Sequence, residues 1–130
     1  MITKFSLQEH FQKRSNHSHW DLRVLDPENK SFLASWAIPK KRFPAIGERL
    51  LAIKTVNHNV NYMYFSGMLQ NNDIVKLLDY GRCDILKWGK NTVMATFHGH
   101  KVKGTYLFLK MEAFSKKQDN WIIIGRKNAE

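Results

Sequence analysis

A single cysteine, Cys83, leaves no partner for an internal disulfide and excludes a cysteine-only metal cage. With no reactive context around it, Cys83 reads as a packed thiol. Seven glycines and three prolines are too few for a collagenous or low-complexity chain. No apolar run approaches the roughly 20 residues of a membrane-spanning helix. The mixed polar stretch from Met1 to Lys13 also lacks the apolar centre of a signal peptide. Several familiar chemistries are missing too: there is no glycine-rich phosphate loop ending in Lys-Ser/Thr, no Gly-x-Ser-x-Gly elbow and no Cys-x-x-Cys zinc pair. Acidic residues are scarce, with eleven Asp and Glu against twenty-one Lys and Arg.

What is present suffices for one core. Of 130 residues, 43% are hydrophobic and 12% aromatic, which argues against disorder and for a single domain over residues 1–130. These features predict a soluble, cytoplasmic protein with no membrane partner; they leave the choice between monomer and dimer open, with a monomer favoured. The net charge of +10 raises the local concentration of polyanions. Nucleic acid, bound through phosphate neutralisation, explains that charge better than solubility alone.

The hydrophobic pattern has mostly a period of two, the signature of strands. His19 to Val24 alternates strictly, Ser31 to Ile38 is aromatic-rich and stopped by Pro39, and Leu50 to Val56 ends in β-branched residues. Further strands are predicted at Asn61 to Ser66, Ile74 to Leu78, Arg82 to Trp88, Thr92 to Phe97, Lys101 to Met111 and Trp121 to Gly125. Turn clusters separate them at residues 26–29, 70–73, 89–91 and 116–120. Short strands at this spacing predict an all-β or mainly β fold, a compact closed or partly closed barrel with short helical turns. Ser6 to Lys13 is read as a short helix or an arm, and Phe43 to Leu51 as holding a helical turn. Trp36 and Trp88 are read as core anchors.

On a strand, alternate side chains share a face. That puts His19, Asp21 and Arg23 on one face, with Trp20, Leu22 and Val24 on the other. The first face offers an imidazole, a carboxylate and a guanidinium in a row. Taken alone, it could be a solvated Asp–Arg pair of little consequence. His10, His17 and His58 lie in the same half of the chain, however, and two imidazoles with a carboxylate suit a divalent ion beside a phosphate. Lys40 stands where a strand ends, Arg42 and Arg49 flank the next turn, and Tyr62 follows His58 at the same strand parity. His98 and His100 are left as ordinary surface residues.

Phe5-Ser6-Leu7-Gln8-Glu9-His10, His19-Trp20-Asp21-Leu22-Arg23 and Ser35-Trp36-Ala37-Ile38-Pro39-Lys40 together resemble the 3′-phosphoesterase domain of bacterial and archaeal DNA ligase D. That family reads approximately F-x-x-Q-[KE]-H, H-[YW]-D-[FL]-R-[LV] and S-W-A-[VI]-P-K in the same order. Leu51-Ala52-Ile53 with His58 and Tyr62 is similar to its next block. Phe65-x-Gly67, Gly104-x-Tyr106 and Trp121 to Ile124 extend the likeness over nearly the whole chain. The resemblance implies a metal-dependent hydrolase on a β-barrel that removes 3′-terminal ribonucleosides and 3′-phosphates from DNA or RNA during end repair. It implies that His10, His19 and Asp21 hold the metal, typically Mn²⁺, with Zn²⁺ or another divalent ion as the alternative. It also implies that Arg23, His58 and Tyr62 meet the scissile phosphate, that Lys40 is a functional lysine, and that Arg49 contacts substrate phosphate.

The chain departs from the pattern at four places. His10 and His19 are farther apart than is usual in the family. Its Glu-Asp-His is replaced by Val56-Asn57-His58, its arginine before L-A-[VI] is displaced by one residue to Arg49, and its glycine-rich loop by Met68 to Asp73. Two other functions are therefore carried forward: a non-catalytic module binding nucleic-acid ends, and a basic interaction subunit of a repair complex. A ligase or polymerase acting in trans is the expected protein partner.

Overall fold

The computed structural model describes residues 1–112 and 118–128. Within them lie nine strands and one 3₁₀ turn. They are β1 (Ile2–Gln12), β2 (His17–Leu25), β3 (Phe32–Ile38), β4 (Arg49–Asn59), the 3₁₀ turn (Val60–Tyr62), β5 (Gly67–Met68), β6 (Ile74–Trp88), β7 (Thr92–His98), β8 (Lys103–Lys110) and β9 (Asp119–Arg126). Eight strands run β1-β2-β3-β4-β9-β8-β7-β6, and β6 returns to pair with β1, closing an antiparallel barrel; β5 is a two-residue appendage on β6. The all-β closed barrel expected from the period-two pattern is what forms. No helix among the described residues is long and apolar enough to cross a membrane.

Register decides which side chains enter the barrel. Leu7 pairs with Leu22 and Leu22 with Trp36, while Phe5 pairs with Val24 and Val24 with Ala34. All six are buried in one apolar cluster with Phe97, Phe108, Trp121 and Ile123. Its aromatic rings meet at favourable separations, Trp36–Phe108 at 5.0 Å, Trp36–Trp121 at 5.7 Å and Phe5–Phe97 at 5.0 Å. Trp88 packs against the cluster partly buried, and Cys83 is fully buried, its thiol pushed up to about 12 by burial and so inert.

Several predicted boundaries are corrected. Ser6 to Lys13 is no helix or arm but most of β1, which pairs on both sides. Its alternation is hard to read because Ser6 and Gln8, on the outer face, are as buried as Phe5 and Leu7. Residues 43–48 form turns rather than a helix, tied by an isolated bridge from Ile46 to Gly125. The two strands read at Ile74 to Leu78 and Arg82 to Trp88 are one 15-residue strand, β6. Asp79 and Gly81 look like punctuation but serve this strand. The Asp79 carboxylate accepts backbone N–H groups of His100, Lys101 and Val102, and a methyl group at Gly81 would meet the His98 carbonyl oxygen at 2.5 Å. Residues 61–66, predicted as a strand, are the end of the 3₁₀ turn and the irregular chain after it. Lys116 and Lys117 of the last turn cluster lie outside the described residues.

Candidate active site

The outer face of the β1–β4 wall carries an unusual polar set, assembled by the ladder. His10 stands directly across from His19, Gln8 from Asp21 and Ser6 from Arg23; Arg23 then faces Ser35 on β3. The wide His10–His19 separation is therefore only a longer turn, residues 13–16, between strands that place the two histidines side by side. His17 pairs with Gln12 instead and is exposed.

His58 reaches this face through a bulge. Leu33 pairs with His58 and Ser35 with Thr55, so one residue of β3 opposes two of β4, Val56 and Asn57. In a regular strand, residues 55 and 58 would point to opposite faces; the extra residue brings both to the same one. Val56, where the family has glutamate, sits on this bulge and is 79% exposed.

Chain after β4 folds over the wall. Tyr62 stacks on His58 with centroids 5.5 Å apart and on Phe65 at 5.1 Å, and its ring lies 4.9 Å from the Arg23 guanidinium carbon. Tyr62 thus shares a pocket with His58 as expected, although it belongs to the 3₁₀ turn rather than to a strand. Together with His10, His19, Asp21, Arg23, Thr55 and Leu69, these two residues line a cavity of about 310 Å³.

Within it, one ligand atom from each of His10, His19 and Asp21 lies within 4.8 Å of the others. His19 Nε2 is 3.2 Å from Asp21 Oδ1, and His10 Nδ1 is 3.6 Å from Asp21 Oδ2. Burial would raise the Asp21 pKa, but hydrogen bonds from His10 and His19 and the charge of Arg23 outweigh it and hold the carboxyl well below its usual range. Two imidazoles and an ionised carboxylate converging on one point are a donor set that a divalent ion of the Mn²⁺ or Zn²⁺ kind accepts.

Arg23 is 3% exposed and held on three sides. Its Nε donates to Gln8 Oε1 at 2.8 Å, Nη1 to His58 Nδ1 at 3.2 Å and Nη2 to Asp21 Oδ2 at 3.5 Å. Burial pulls its pKa down and Asp21 opposes that fall; the guanidinium remains a cation. Because it has only donors, His58 Nδ1 must accept, and the neutral imidazole carries its proton on Nε2. Burial and then Arg23 lower the His58 pKa, which keeps that neutral form at pH 7. Gln8 completes the frame. Its Nε2 donates to the carbonyls of Tyr62 and Phe65 at 3.0 and 3.1 Å, tying the covering segment to Arg23.

Two residues singled out in the sequence stay outside. Lys40 is exposed in the turn after β3 and does not line the cavity; its neighbour Lys41 bonds Glu9 and Ser18 at 3.2 and 2.8 Å. Arg49, the exposed first residue of β4, lines a separate cavity of about 490 Å³ with Arg126 and Lys127, whose walls hold no histidine or carboxylate. The one-residue displacement of Arg49 in the sequence was the warning.

Asp73 is the residue that sequence reasoning missed. Its Oδ2 lies 2.8 Å from His10 Nε2, and its Oδ1 accepts the Lys13 backbone N–H at 3.1 Å. Nothing local marks it, since it lies 63 residues from His10 inside the segment that replaces the family's glycine-rich loop. A carboxylate on one ring nitrogen of a histidine fixes the tautomer and aims the other nitrogen, here Nδ1, at the point where His19 and Asp21 converge, as it does for histidines that ligate a metal. Asp73→Asn should therefore weaken Mn²⁺ binding roughly 10- to 100-fold, read by calorimetric titration, with little change in fold.

The chain matches the profile of the DNA Ligase D 3′-phosphoesterase domain over residues 8–110. It is 27% identical over 140 positions to the multifunctional non-homologous end joining protein LigD of Mycolicibacterium smegmatis, an alignment covering 92% of this chain and 16% of that protein. The corresponding proteins of Mycobacterium bovis and Mycobacterium tuberculosis are each 26% identical over 138 positions, covering 95% of this chain and 16% of theirs. The chain thus spans only about a sixth of the length of these relatives.

Proposed function

The chain belongs to the family of the DNA ligase D 3′-phosphoesterase domain, and on that premise we propose that residues 1–130 act as a single metal-dependent phosphoesterase trimming nucleic-acid 3′ ends in strand-break repair. Its substrates would be terminal ribonucleosides and 3′-phosphates of DNA or RNA. The observation that carries this reading is the meeting of His10, His19 and Asp21 beside a buried, still cationic Arg23.

His10, His19 and Asp21 would hold the divalent ion, Mn²⁺ in first place. Such an ion, when bound, polarises a phosphoryl oxygen and acidifies coordinated water. The remaining work falls to the chain's own groups. Of the five N–H donors of a guanidinium, three engage Gln8, His58 and Asp21, which leaves two for a phosphate oxygen. Fixed in this way, Arg23 meets the charge that develops on the phosphoryl group without having to reorganise. His58 offers Nε2–H either to a non-bridging oxygen or, as general acid, to the leaving oxygen. Tyr62 screens both from water by stacking on the imidazole and the guanidinium. The basic surface would hold the strand by its backbone, with little sequence preference. A trimmed 3′-hydroxyl is what a ligase or polymerase requires, which makes an enzyme of that class the expected partner.

The test is cleavage of a 5′-labelled primer–template ending in one 3′-ribonucleotide, with Mn²⁺ and then with EDTA. Shortening by one nucleoside should need the metal and should fall below detection in His19→Ala. Salt-sensitive binding of the same substrate without turnover would instead indicate a module that only binds ends.

A further inference from the structure

Beside the cavity, on the same outer wall, lies a second groove that the phosphoesterase reading leaves unused. It has a volume of about 320 Å³ and is walled by Ile2, Lys4, Tyr64, Tyr80, Gly81 and Arg82, among others. Tyr64 and Tyr80 are 50% and 56% exposed, although each is a large aromatic whose burial would favour the fold. Their rings meet edge to face, with centroids 5.5 Å apart and planes at 80°. In that arrangement the ring giving its edge keeps both faces uncovered by its partner.

Two features place the groove next to the candidate active site. Tyr80 pairs with Ser6, and Ser6 with Arg23, so one row of the sheet carries Tyr80 and Arg23 two strand spacings, roughly 10 Å, apart. Tyr64 lies two residues beyond Tyr62, on the segment that covers the phosphate pocket. Charge also favours one class of occupant. Lys4 pairs across the ladder with Arg82, and Lys4 has no carboxylate partner among the described residues. Asp84 is the nearby anion, but Arg82 and His98 already hold it, at 3.1 and 2.8 Å.

We propose that the Tyr64–Tyr80 groove is a stacking subsite for an unpaired nucleobase next to the phosphate seated against Arg23, with Lys4 and Arg82 taking the adjoining backbone. The inference rests on the phosphoesterase reading and adds to it a preference for frayed or single-stranded 3′ ends. Open aromatic faces beside cations bind single strands in this way whatever the base.

The experiment measures the affinity, by fluorescence anisotropy in EDTA, of a 5′-labelled single-stranded oligonucleotide with a 3′-terminal ribonucleotide. The probes are the intact strand and strands with an abasic residue at each of the last three positions. Tyr64→Ala and Tyr80→Ala should each weaken the intact strand roughly 5- to 100-fold, the worth of one stacked base. Phenylalanine at either position should restore binding. One abasic strand should bind wild type as weakly as the intact strand binds the alanine variants, with no further loss when the two changes are combined. Affinities unchanged by Tyr→Ala overturn the proposal. An equal loss for intact and abasic strands also overturns it, since the tyrosines would then act through the fold. Turnover of the primer–template, followed in parallel, separates the two readings. Turnover with flat affinities discards the groove alone, whereas tyrosine-dependent binding without turnover discards the phosphoesterase and retains the groove.

Discussion

Asp21→Asn should abolish metal-dependent turnover and also lower the melting temperature by about 10 °C, a double effect that few single-atom changes produce. The side chain keeps its shape and loses only its charge. That charge, however, sits 4% exposed between His19 at 3.2 Å, Arg23 at 3.5 Å and His10 at 3.6 Å. Removing it takes the anionic ligand from the set proposed to hold the metal and leaves the buried Arg23 cation without its counter-ion. Breaking a buried pair in this way costs about 3–5 kcal/mol. The sign of the pH dependence supplies a check. Because the folded pKa of Asp21 is depressed, its stabilisation is complete above the unfolded value of about 3.9 and is lost as pH falls toward the folded one. The melting temperatures of wild type and Asp21→Asn in EDTA should therefore differ fully at pH 7 and converge below about pH 4. A difference that persisted undiminished into acid would mean that the charge of Asp21 does not stabilise the fold.

The parts of this site that the sequence discloses are those built by a single strand. Strict alternation in β2 assigns His19, Asp21 and Arg23 to one face and Leu22 and Val24 to the core, and the ladder places them so. His10 needed the likeness of Phe5, Gln8 and Glu9 to the family's first block as a guide, because its neighbour His19 is fixed by pairing across a turn whose length the local pattern leaves open. The features that stayed hidden depend on register. The bulge opposite Ala34 turns His58 onto the outer face beside Arg23, but it exists only once β3 and β4 are paired. Strand β1 hid its period because both its faces are covered, one by the barrel core and the other by Tyr62 and Phe65 hanging from Gln8. Strand β6 hid its length because Asp79 and Gly81 are turn-forming residues until β7 and the chain after it supply their partners. Asp73 is the extreme case, a site carboxylate whose role is defined by contact with a residue 63 positions away in the sequence, brought beside it only when β6 closes the barrel on β1.

That dependence on several elements makes Arg23→Lys the sharpest test of whether the pocket is preorganised for a phosphate. The charge is conserved, so any reading in which Arg23 supplies only a positive field predicts near-normal behaviour. The geometry predicts otherwise. The guanidinium fork bonds Gln8, His58 and Asp21 while its carbon lies 4.9 Å from the centre of the Tyr62 ring, and a point-charge ammonium cannot meet all four. Gln8 Oε1 and His58 Nδ1 would compete for one shorter donor; Gln8 Oε1, if it lost, would be left as a buried acceptor without a partner, at a cost of about 1–3 kcal/mol, and His58 Nδ1, if it lost, would keep only the Ser35 hydroxyl at 3.4 Å. If it is His58, the donor that fixes its proton on Nε2 is gone and the tautomer offered to substrate is no longer set. If it is Gln8, the tie to Tyr62 and Phe65 loosens and the cover over the pocket moves. Either way turnover should fall roughly 100- to 1,000-fold, the scale of losing one preorganised donor, while Mn²⁺ affinity, which the proposal assigns to His10, His19 and Asp21, should change far less. Single-turnover cleavage alongside calorimetric Mn²⁺ titration of the same variant separates the two quantities. Turnover within a few-fold of wild type would reduce Arg23 to a source of field and move the burden of phosphate recognition elsewhere on the wall.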